Sequence, residues 1–362
     1  MKKTLLILGV LFCAPLTASD DVKIRLFSTL EIKSATAADS GGQKQEAHAG
    51  QGAKELFSGR RGVYTVEAAG VRGSYQGKLS CETHNGFLHI FLETDIEYYT
   101  AQVLASEADD GLFNENYAEA LAVVIRTYAF ENRGRHGSYD MCDSTHCQKF
   151  RHKRNARDKW KKITAKSEGL ILRCKGGKAA FFAACCGGFI ETPESVWGGR
   201  NEEARPDNKG GGDFCSGYKY YTWVKRVDAH MADKALQKFY PGRKAEVFEI
   251  SERSASGRAR VFYFGGGLNV PAQEFQREIG RLFGWAAVPS LLFDIHPDTG
   301  GYILKGKGQG HGSGLCMAGA SAMGKAGYKA EEILNHYFPY CTQEKISPNP
   351  LFQRGDRGVV KL

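Results

Sequence analysis

The stretch from Asp95 to Asn132 constrains the fold more than any other part of the sequence, because it predicts two helices joined by a short turn. Asp95 is suited to cap the first helix, since its carboxylate can accept the free N–H groups of the opening turn. One face of this helix, built at spacings of 3, 4 and 4, carries Ile96, Tyr99, Val103 and Glu107. We therefore expect an apolar and aromatic face that ends in a carboxylic acid.

Glu107 is the candidate catalytic residue on this face. A carboxylate held among apolar side chains loses hydration, which raises its pKa and favours the protonated form. An acid that stays protonated near neutral pH can give a proton to a leaving oxygen. A glutamate at the end of a scaffold helix is also commonly solvated, and helical spacing alone does not separate the two interpretations.

The second helix is predicted to bury one broad apolar side, formed by Leu121, Val124, Ile125 and Tyr128. The Asp-Asp-Gly run at 109–111 breaks the first helix before it. Asn116 with Glu119 three residues later resembles a capping box and predicts the start of the second helix. We expect that helix to end near Gly134.

The beginning of the chain predicts export. Lys2 and Lys3 precede an apolar run from Leu5 to Phe12, and the small residues that follow are typical of a secretory signal peptide over residues 1–19. No later stretch is apolar for long enough to cross a membrane. We expect an extracytoplasmic protein, in the periplasm or cell envelope, that does not bind nucleic acid. Its formal net charge of +9 suits an anionic polymer such as the cell wall.

Residues 20–62 are predicted to contain an N-terminal strand and a flexible linker. Val22 to Leu26 alternates apolar and charged residues, as a half-buried strand does. Thr36 to Lys54 is rich in Ala, Gly and Gln without an apolar period, and we interpret it as a long mobile loop. Tyr64 to Ala68 and Phe87 to Leu92 are predicted to be further strands.

A group of four potential metal ligands follows the second helix, at His136, Cys142, His146 and Cys147. Thiolates and neutral imidazoles are the usual ligands of zinc, and four of them can bind it tetrahedrally. In an oxidising compartment a disulfide between the two cysteines is the competing interpretation. Four protein ligands leave no open position for water, so a zinc ion here would be structural, and we expect no cofactor for catalysis.

The same region resembles the stage II sporulation protein D (SpoIID) family, in which a V-x-x-x-E element precedes a helix of the type E-A-L-K-A-Q-A-V-A-A-R-T-Y-A. The matching residues are Val103, Glu107, Glu119, Ala120, Leu121, Ala122, Val123, Arg126, Thr127, Tyr128 and Ala129. The resemblance implies an α+β fold with two lobes, in which the helical segment packs on a mixed sheet. It implies a main lobe over 63–223, a smaller inserted lobe over 224–300 and a return to the main lobe over 301–362.

The resemblance extends to several later motifs. Cys186, with the two glycines after it, is similar to the family's C-G-G strand end, and a cysteine near Cys215 makes a pairing with Cys186 conceivable. Trp197 stands in the family's V-W element, as a flat face for a sugar ring or as a core residue. His311 lies in a motif similar to G-H-G-x-G-(L/M)-(S/C)-Q, although Met317 replaces the usual Gln, and Gln276 replaces an Arg of another family pattern.

Members of the family with an assigned activity are lytic transglycosylases of peptidoglycan, and their general acid/base falls on Glu107. The resemblance also implies that the substrate is peptide-stripped glycan produced by a cell-wall amidase, and that the two Cys and two His bind structural zinc. We select Arg126, Tyr128 and His311 as candidate substrate-binding residues. The alternative function is a glycan-binding enhancer of a partner amidase that cuts nothing itself. A zinc hydrolase built on the 136–147 loop is a third interpretation.

Overall fold

The computed structural model describes residues 21–108, 110–151, 157–175, 180–197, 204–208 and 211–346. The predicted signal peptide lies outside these ranges. One mixed sheet occupies the first part of the chain, with strand order β3-β2-β5-β6-β7-β1-β8 and β4 paired with β6. Its strands are β1 (Asp21–Leu26), β2 (Ser34–Ala38), β3 (Lys44–His48), β4 (Lys54–Glu55), β5 (Gly62–Ala68), β6 (Val71–His84), β7 (Phe87–Asp95) and β8 (Met141–Cys142). The strands predicted at β1, β5 and β7 are confirmed.

The predicted mobile loop over Thr36 to Lys54 is wrong, because about half of this stretch lies in strands of the sheet. β2 pairs antiparallel with both β3 and β5, in a register that sets Ala35 opposite Ala47. The alternation is present, but its buried members are alanines (Ala35, Ala37, Ala47). Alanine buries little apolar area, so the strand period is weak in the sequence.

Three helices follow the sheet: α1 (Ile96–Glu107), α2 (Glu115–Glu131) and α3 (Arg157–Lys166). Asp95 caps α1 as predicted and accepts the backbone N–H groups of Glu97 and Tyr98. The predicted capping box at Asn116 is wrong, because Asn114 caps α2 by accepting the N–H groups of Asn116 and Tyr117. An extended backbone at Asn114 lets its amide oxygen reach both donors, whereas Asn116 already lies inside the helix.

Both central helices are more buried than a single amphipathic face would be. All of α1 except Glu97 and Glu107 is buried, and α2 is buried at nearly every position from Tyr117 to Ala129. The two helices pack against each other, and α2 also contacts helices and strands from later in the chain. The chain therefore places Glu107 at the end of a core helix.

The next elements are short: β9 (Leu170–Cys174), β10 (Phe182–Ala183), β11 (Phe189–Ile190), α4 (Pro193–Trp197) and β12 (Arg205–Pro206). The segment after them has its own hydrophobic core, which spans Trp223 to Leu304. Two three-stranded sheets and two helices surround it: β13 (Thr222–Asp228), α5 (Ala229–Leu236), β14 (Glu249–Arg253), β15 (Ala259–Tyr263), β16 (Asn269–Pro271), α6 (Ala272–Phe283), β17 (Phe293–Asp298) and β18 (Gly301–Lys307). Packed phenylalanine rings fill its centre, at Phe248, Phe262, Phe264 and Phe275.

The chain then returns to the larger core through β19 (Leu315–Cys316), α7 (Met317–Lys325), α8 (Ala330–Tyr337) and β20 (Cys341–Lys345). β19 pairs parallel with β10, and β20 pairs antiparallel with β9. A disulfide joins Cys174 to Cys341 across the second of these pairs. Single turns of 3₁₀-helix complete the described structure, at Leu56–Gly59, Asp110–Leu112 and Phe214–Gly217.

The predicted α+β class is confirmed by this mixture of helices and several sheets. The buried apolar side chains form two clusters, one from residues before 219 and after 314 and one from 223–304. The exact lobe boundaries remain a prediction. Among the described residues, no helix combines the length and apolar character that a membrane span requires.

Candidate active site

A cleft of about 1060 Å³ lies at the end of α1, and its lining includes Gln273 and Trp285 from the segment 223–304. One side, here called the acid wall, consists of Glu107 and the loop 145–148. The other side, here called the histidine wall, consists of residues 180–184 and 310–317 that line the cleft. Helix α4 and the exposed ring of Trp285 complete the rim.

Glu107 lies in the acid wall, where its carboxyl oxygen Oε1 accepts the backbone N–H of Lys149 at 2.8 Å. Burial raises the pKa of Glu107, against the opposing effects of that hydrogen bond and of the Lys149 and Arg151 charges. The direction of the shift agrees with the one predicted from the apolar face of α1. A carboxyl group that is partly desolvated yet open to a cleft has the properties of a proton donor.

The loop after β8 holds the end of α1 in place. Arg151 donates its backbone N–H to the Ser106 hydroxyl at 3.0 Å, one residue before Glu107. Two turns earlier on the buried side, the Tyr99 hydroxyl donates to Gln148 Oε1 at 3.0 Å. The loop therefore runs along the last two turns of α1 and fixes the Glu107 backbone as well as its carboxyl group.

His136, Cys142, His146 and Cys147 come together beside this loop, with one potential ligand atom from each lying within 4.8 Å of the others. His136 Nε2 is 3.2 Å from Cys147 Sγ, and His146 Nδ1 is 3.6 Å from each sulfur. Zinc bonds of about 2.3 Å to sulfur and 2.0 Å to nitrogen place such atoms about 3.6 Å apart in a tetrahedron. The donor set and spacing therefore fit zinc.

The competing Cys142–Cys147 disulfide is not formed in this structure, where both residues are free thiols. A hydrogen bond from Cys147 lowers the pKa of Cys142 to about 3, while the same contact raises the pKa of Cys147. His146 and Cys147 also line the cleft, so this group belongs to the acid wall.

Arg126 does not lie in the cleft, and its prediction as a substrate-binding residue is wrong. Its side chain is fully buried and forms a bidentate ion pair with Glu97. Arg126 Nε donates to Glu97 Oε1 at 2.7 Å, and Arg126 Nη2 donates to Glu97 Oε2 at 2.6 Å. A third hydrogen bond, of 2.9 Å, goes to the Leu170 carbonyl of β9. The Arg126 side chain therefore points into the protein, where it connects the start of α1 to β9.

Tyr128 and His311 do line the cleft, and their role in substrate binding stays a prediction. The Tyr128 hydroxyl accepts a hydrogen bond of 2.6 Å from Arg135. His311 Nδ1 accepts the N–H of Ser313 at 3.0 Å, and its ring also bonds to the Phe182 carbonyl. Burial, with the Arg258 charge as a smaller effect, lowers the pKa of His311 to about 4, so the ring is neutral near pH 7.

Glycine explains how the histidine wall comes so close to its neighbours. Gly312 and Gly314 both have φ of 74°. A Cβ atom at Gly314 would stand 2.1 Å from the Phe181 carbonyl oxygen, and one at Gly312 would overlap Arg258. Only glycine meets both the left-handed backbone and the close approach here.

Two tryptophans face the cleft with large exposed rings. Trp197 is 50% exposed and stacks on Phe181, with ring centres 4.1 Å apart. Of the two interpretations of Trp197, an exposed ring or a core residue, the structure shows the exposed ring. Trp285 is 67% exposed and lies against Gly280 of α6. Its loop is held by Gln276, which donates to the Val288 carbonyl at 2.8 Å.

Sequence reasoning missed Trp285 and Glu194 as cleft residues. Glu194 is a second carboxyl group in the cleft lining, and its Oε2 is buried without a hydrogen-bond partner among the described residues. Neither residue stands in a motif with recognisable chemistry. Trp285 follows Gly284, a helix-ending glycine with φ of 91°, and that is the only local signal of an exposed turn.

Comparison with known proteins identifies a family whose model matches the part of the chain that contains the acid wall. A family model described as "SpoIID: Stage II sporulation protein" matches residues 84–173, which include Glu107 and the four cysteines and histidines of the loop. An uncharacterized protein of Brachyspira hyodysenteriae is 26% identical over 270 residues, or 73% of this chain and 70% of that protein. An amidase enhancer of Bacillus subtilis is 35% identical over 75 residues, which is 21% of this chain and only 10% of the enhancer. The region that contains the acid wall therefore matches the SpoIID family.

Proposed function

We propose that this protein is an exported lytic transglycosylase that cleaves the glycan strands of peptidoglycan and leaves 1,6-anhydro-muramyl ends. The observation that carries the proposal is the position of Glu107, a carboxyl group with a raised pKa in a large cleft. The cell-wall setting follows from the family and from the partial match to an amidase enhancer.

In the first step Glu107 gives its proton to the glycosidic oxygen as the bond from that oxygen to C1 breaks. The resulting carboxylate then takes the proton of the C6 hydroxyl group of the same N-acetylmuramic acid, whose oxygen attacks C1. Glu107 ends the cycle protonated, and no water is consumed. Because the nucleophile is tethered to the reacting sugar, proximity replaces the second carboxylate that hydrolytic glycosidases use.

The rest of the cleft supports this assignment through its shape and surface. The exposed rings of Trp197 and Trp285 offer flat apolar faces, on which a sugar ring can stack. Tyr128 presents a hydroxyl group held by Arg135, and His311 presents a neutral ring next to Trp197. A cleft open at the rim can accept an internal segment of a polymer.

The four-residue group in the acid wall completes the proposal as a structural zinc site. His136, Cys142, His146 and Cys147 would hold the ion, with no ligand position left for substrate. Bound zinc would supply rigidity to the loop whose Lys149 N–H holds Glu107. The chain itself supplies the only acid and base that the reaction needs.

A non-catalytic function is the second candidate, in which the protein binds glycan and enhances a partner amidase. It is favoured by the match to the amidase enhancer and by Met317. Met317 lines the cleft where the family motif usually has Gln, so an amide that could bind glycan is replaced by a thioether. In this case the cleft would bind peptide-stripped strands without cutting them.

Mass spectrometry of amidase-treated glycan strands separates the candidates. Wild type and Glu107→Gln are incubated with the strands, and Glu119→Gln serves as the control, since Glu119 is also partly buried with a raised pKa but lies outside the cleft. The transglycosylase is supported if wild type and Glu119→Gln produce anhydro-ended fragments and Glu107→Gln does not. Reducing ends would replace it with a hydrolase that uses Glu194. Retained but uncut strands would favour the enhancer.

A further inference from the structure

We propose a second metal site, for zinc or a similarly soft divalent ion, formed by Cys186, Asp207, Cys215 and Cys316. These residues lie behind the histidine wall, and one ligand atom from each lies within 4.8 Å of the others. All four are at most 1% exposed, so the site is enclosed by protein. This inference does not depend on the transglycosylase proposal.

The sulfur geometry is that of a metal site rather than a disulfide. Cys186 Sγ and Cys215 Sγ are 3.7 Å apart and unbonded, although the family resemblance made a covalent pairing conceivable. Two sulfurs on one tetrahedral zinc ion are separated by about 3.8 Å, given bonds of about 2.3 Å. Cys316 and Asp207 approach the same point.

Asp207 is oriented as a metal-binding carboxylate usually is. Its Oδ1 accepts the Tyr337 hydroxyl at 2.9 Å and lies 3.2 Å from His336 Nε2. Its Oδ2 points into the sulfur cluster, 3.0 Å from Cys186 Sγ. Ligands of metal ions are commonly fixed by a second layer of hydrogen bonds in this way.

Cys316 has the surroundings of a thiolate ligand. Its sulfur accepts the backbone N–H of Cys186 at 3.2 Å and that of Gly319 at 3.3 Å. The second bond is the cap of α7, so the sulfur stands at the start of a helix. Donors aimed at sulfur stabilise negative charge on it, and thiolates select soft ions such as zinc over magnesium or calcium.

The ion would join three segments that are distant in sequence. Cys186 follows residues 180–184 of the histidine wall, Cys316 precedes Met317 of the same wall, and Cys215 belongs to a 3₁₀ turn. Because β10 and β19 pair over only two residues each, their short parallel pairing is a weak connection. A metal ion behind the histidine wall would hold β10 and β19 in register.

Metal analysis of the purified full-length protein tests this site. We expect two zinc ions per chain in wild type and one in Cys215→Ser. A Cys142→Ser/Cys147→Ser variant lacks the ligands of the acid wall and should keep one ion, which then belongs to the second site. Cys81→Ser removes a buried cysteine outside both groups and should keep two. Circular dichroism identifies variants that are unfolded, and the milder Asp207→Asn, which is expected to lose zinc to a chelator faster, replaces any such variant.

Wild type gives a second and independent readout. In non-reducing peptide mapping with alkylation, Cys186, Cys215 and Cys316 should resist alkylation until a chelator is added and then react as free thiols. A disulfide among these cysteines in the purified protein would overturn the proposal. So would a folded Cys142→Ser/Cys147→Ser variant that holds no zinc after dialysis against a zinc buffer.

Discussion

The two walls of the cleft differ in how the chain builds them. The acid wall comes from one continuous stretch, in which hydrogen bonds join the end of α1 to the loop 42 to 45 residues later. The histidine wall is assembled from segments more than 120 residues apart, through the pairing of Phe182 with Leu315 and Ala183 with Cys316. The family model covers the acid wall and ends before the histidine wall begins.

Under the proposed function, this difference assigns the chemistry to the acid wall and the fit of the substrate to the histidine wall. A proton donor needs a fixed position and an adjusted pKa, and a short stretch of chain with its own hydrogen bonds provides both for Glu107. The histidine wall presents rings, a thioether and backbone, which determine what fits opposite the acid. Met317 in place of the family's Gln is a change in this second wall and leaves the acid unchanged.

The largest expected effect is on the acid wall. Glu107→Gln should lower the rate of anhydro-product formation by on the order of 10²–10⁴, the usual contribution of a general acid/base. Its stability should stay close to that of wild type, because Gln still accepts the Lys149 N–H and is neutral like the protonated acid. Product release measured by mass spectrometry and unfolding followed by circular dichroism check the two parts. If the variant lost activity only in proportion to its loss of folded protein, Glu107 would be a structural residue instead.

Arg126→Met tests a residue that belongs to neither wall. Removing this buried cation leaves Glu97 unpaired, which should cost about 3–5 kcal/mol in the free energy of unfolding. Denaturant titration measures that loss, and a Glu97→Gln/Arg126→Met double variant should recover part of it. The folded fraction should turn over glycan at the wild-type rate. A slower rate per folded molecule, at unchanged KM, would return Arg126 to the list of functional residues.

The acid wall could largely be predicted from the sequence, while the histidine wall could be predicted only in part, through the motif that contains His311. Asp95, the face of α1 and the pKa direction of Glu107 follow from helical spacing and desolvation, which act within a few residues. Arg126 was misjudged because a family motif does not say whether a residue faces the cleft or the core. Trp285 and Glu194 depend on contacts between remote segments, and no local pattern carries that information.

A smaller effect is expected from the tryptophans at the rim. Trp285→Ala removes an exposed ring that packs on little protein, so we expect weaker glycan binding by about 0.5–1.5 kcal/mol and almost no change in stability. Trp197→Ala should weaken binding similarly but also cost some stability, since its ring stacks on Phe181. KM and kcat for glycan strands, with thermal unfolding alongside, separate the two. Unchanged KM in both variants would remove the sugar-stacking role.

The two walls should respond to pH in opposite directions, and this is the smallest effect near neutral pH. Glu107 has a raised pKa in the fold, so its contribution to stability is complete below its unfolded pKa and is lost as pH rises through the folded value. His311 has a lowered pKa of about 4, so its contribution is complete above its unfolded pKa of about 6.5 and is lost as pH falls toward 4. Unfolding free energies should therefore be measured from pH 4 to 8. His311→Asn should lose less stability than wild type as the pH falls toward 4, and Glu107→Gln should lose less than wild type as the pH rises. Identical profiles for His311→Asn and wild type would mean that His311 is hydrated in solution and is not held neutral by the wall.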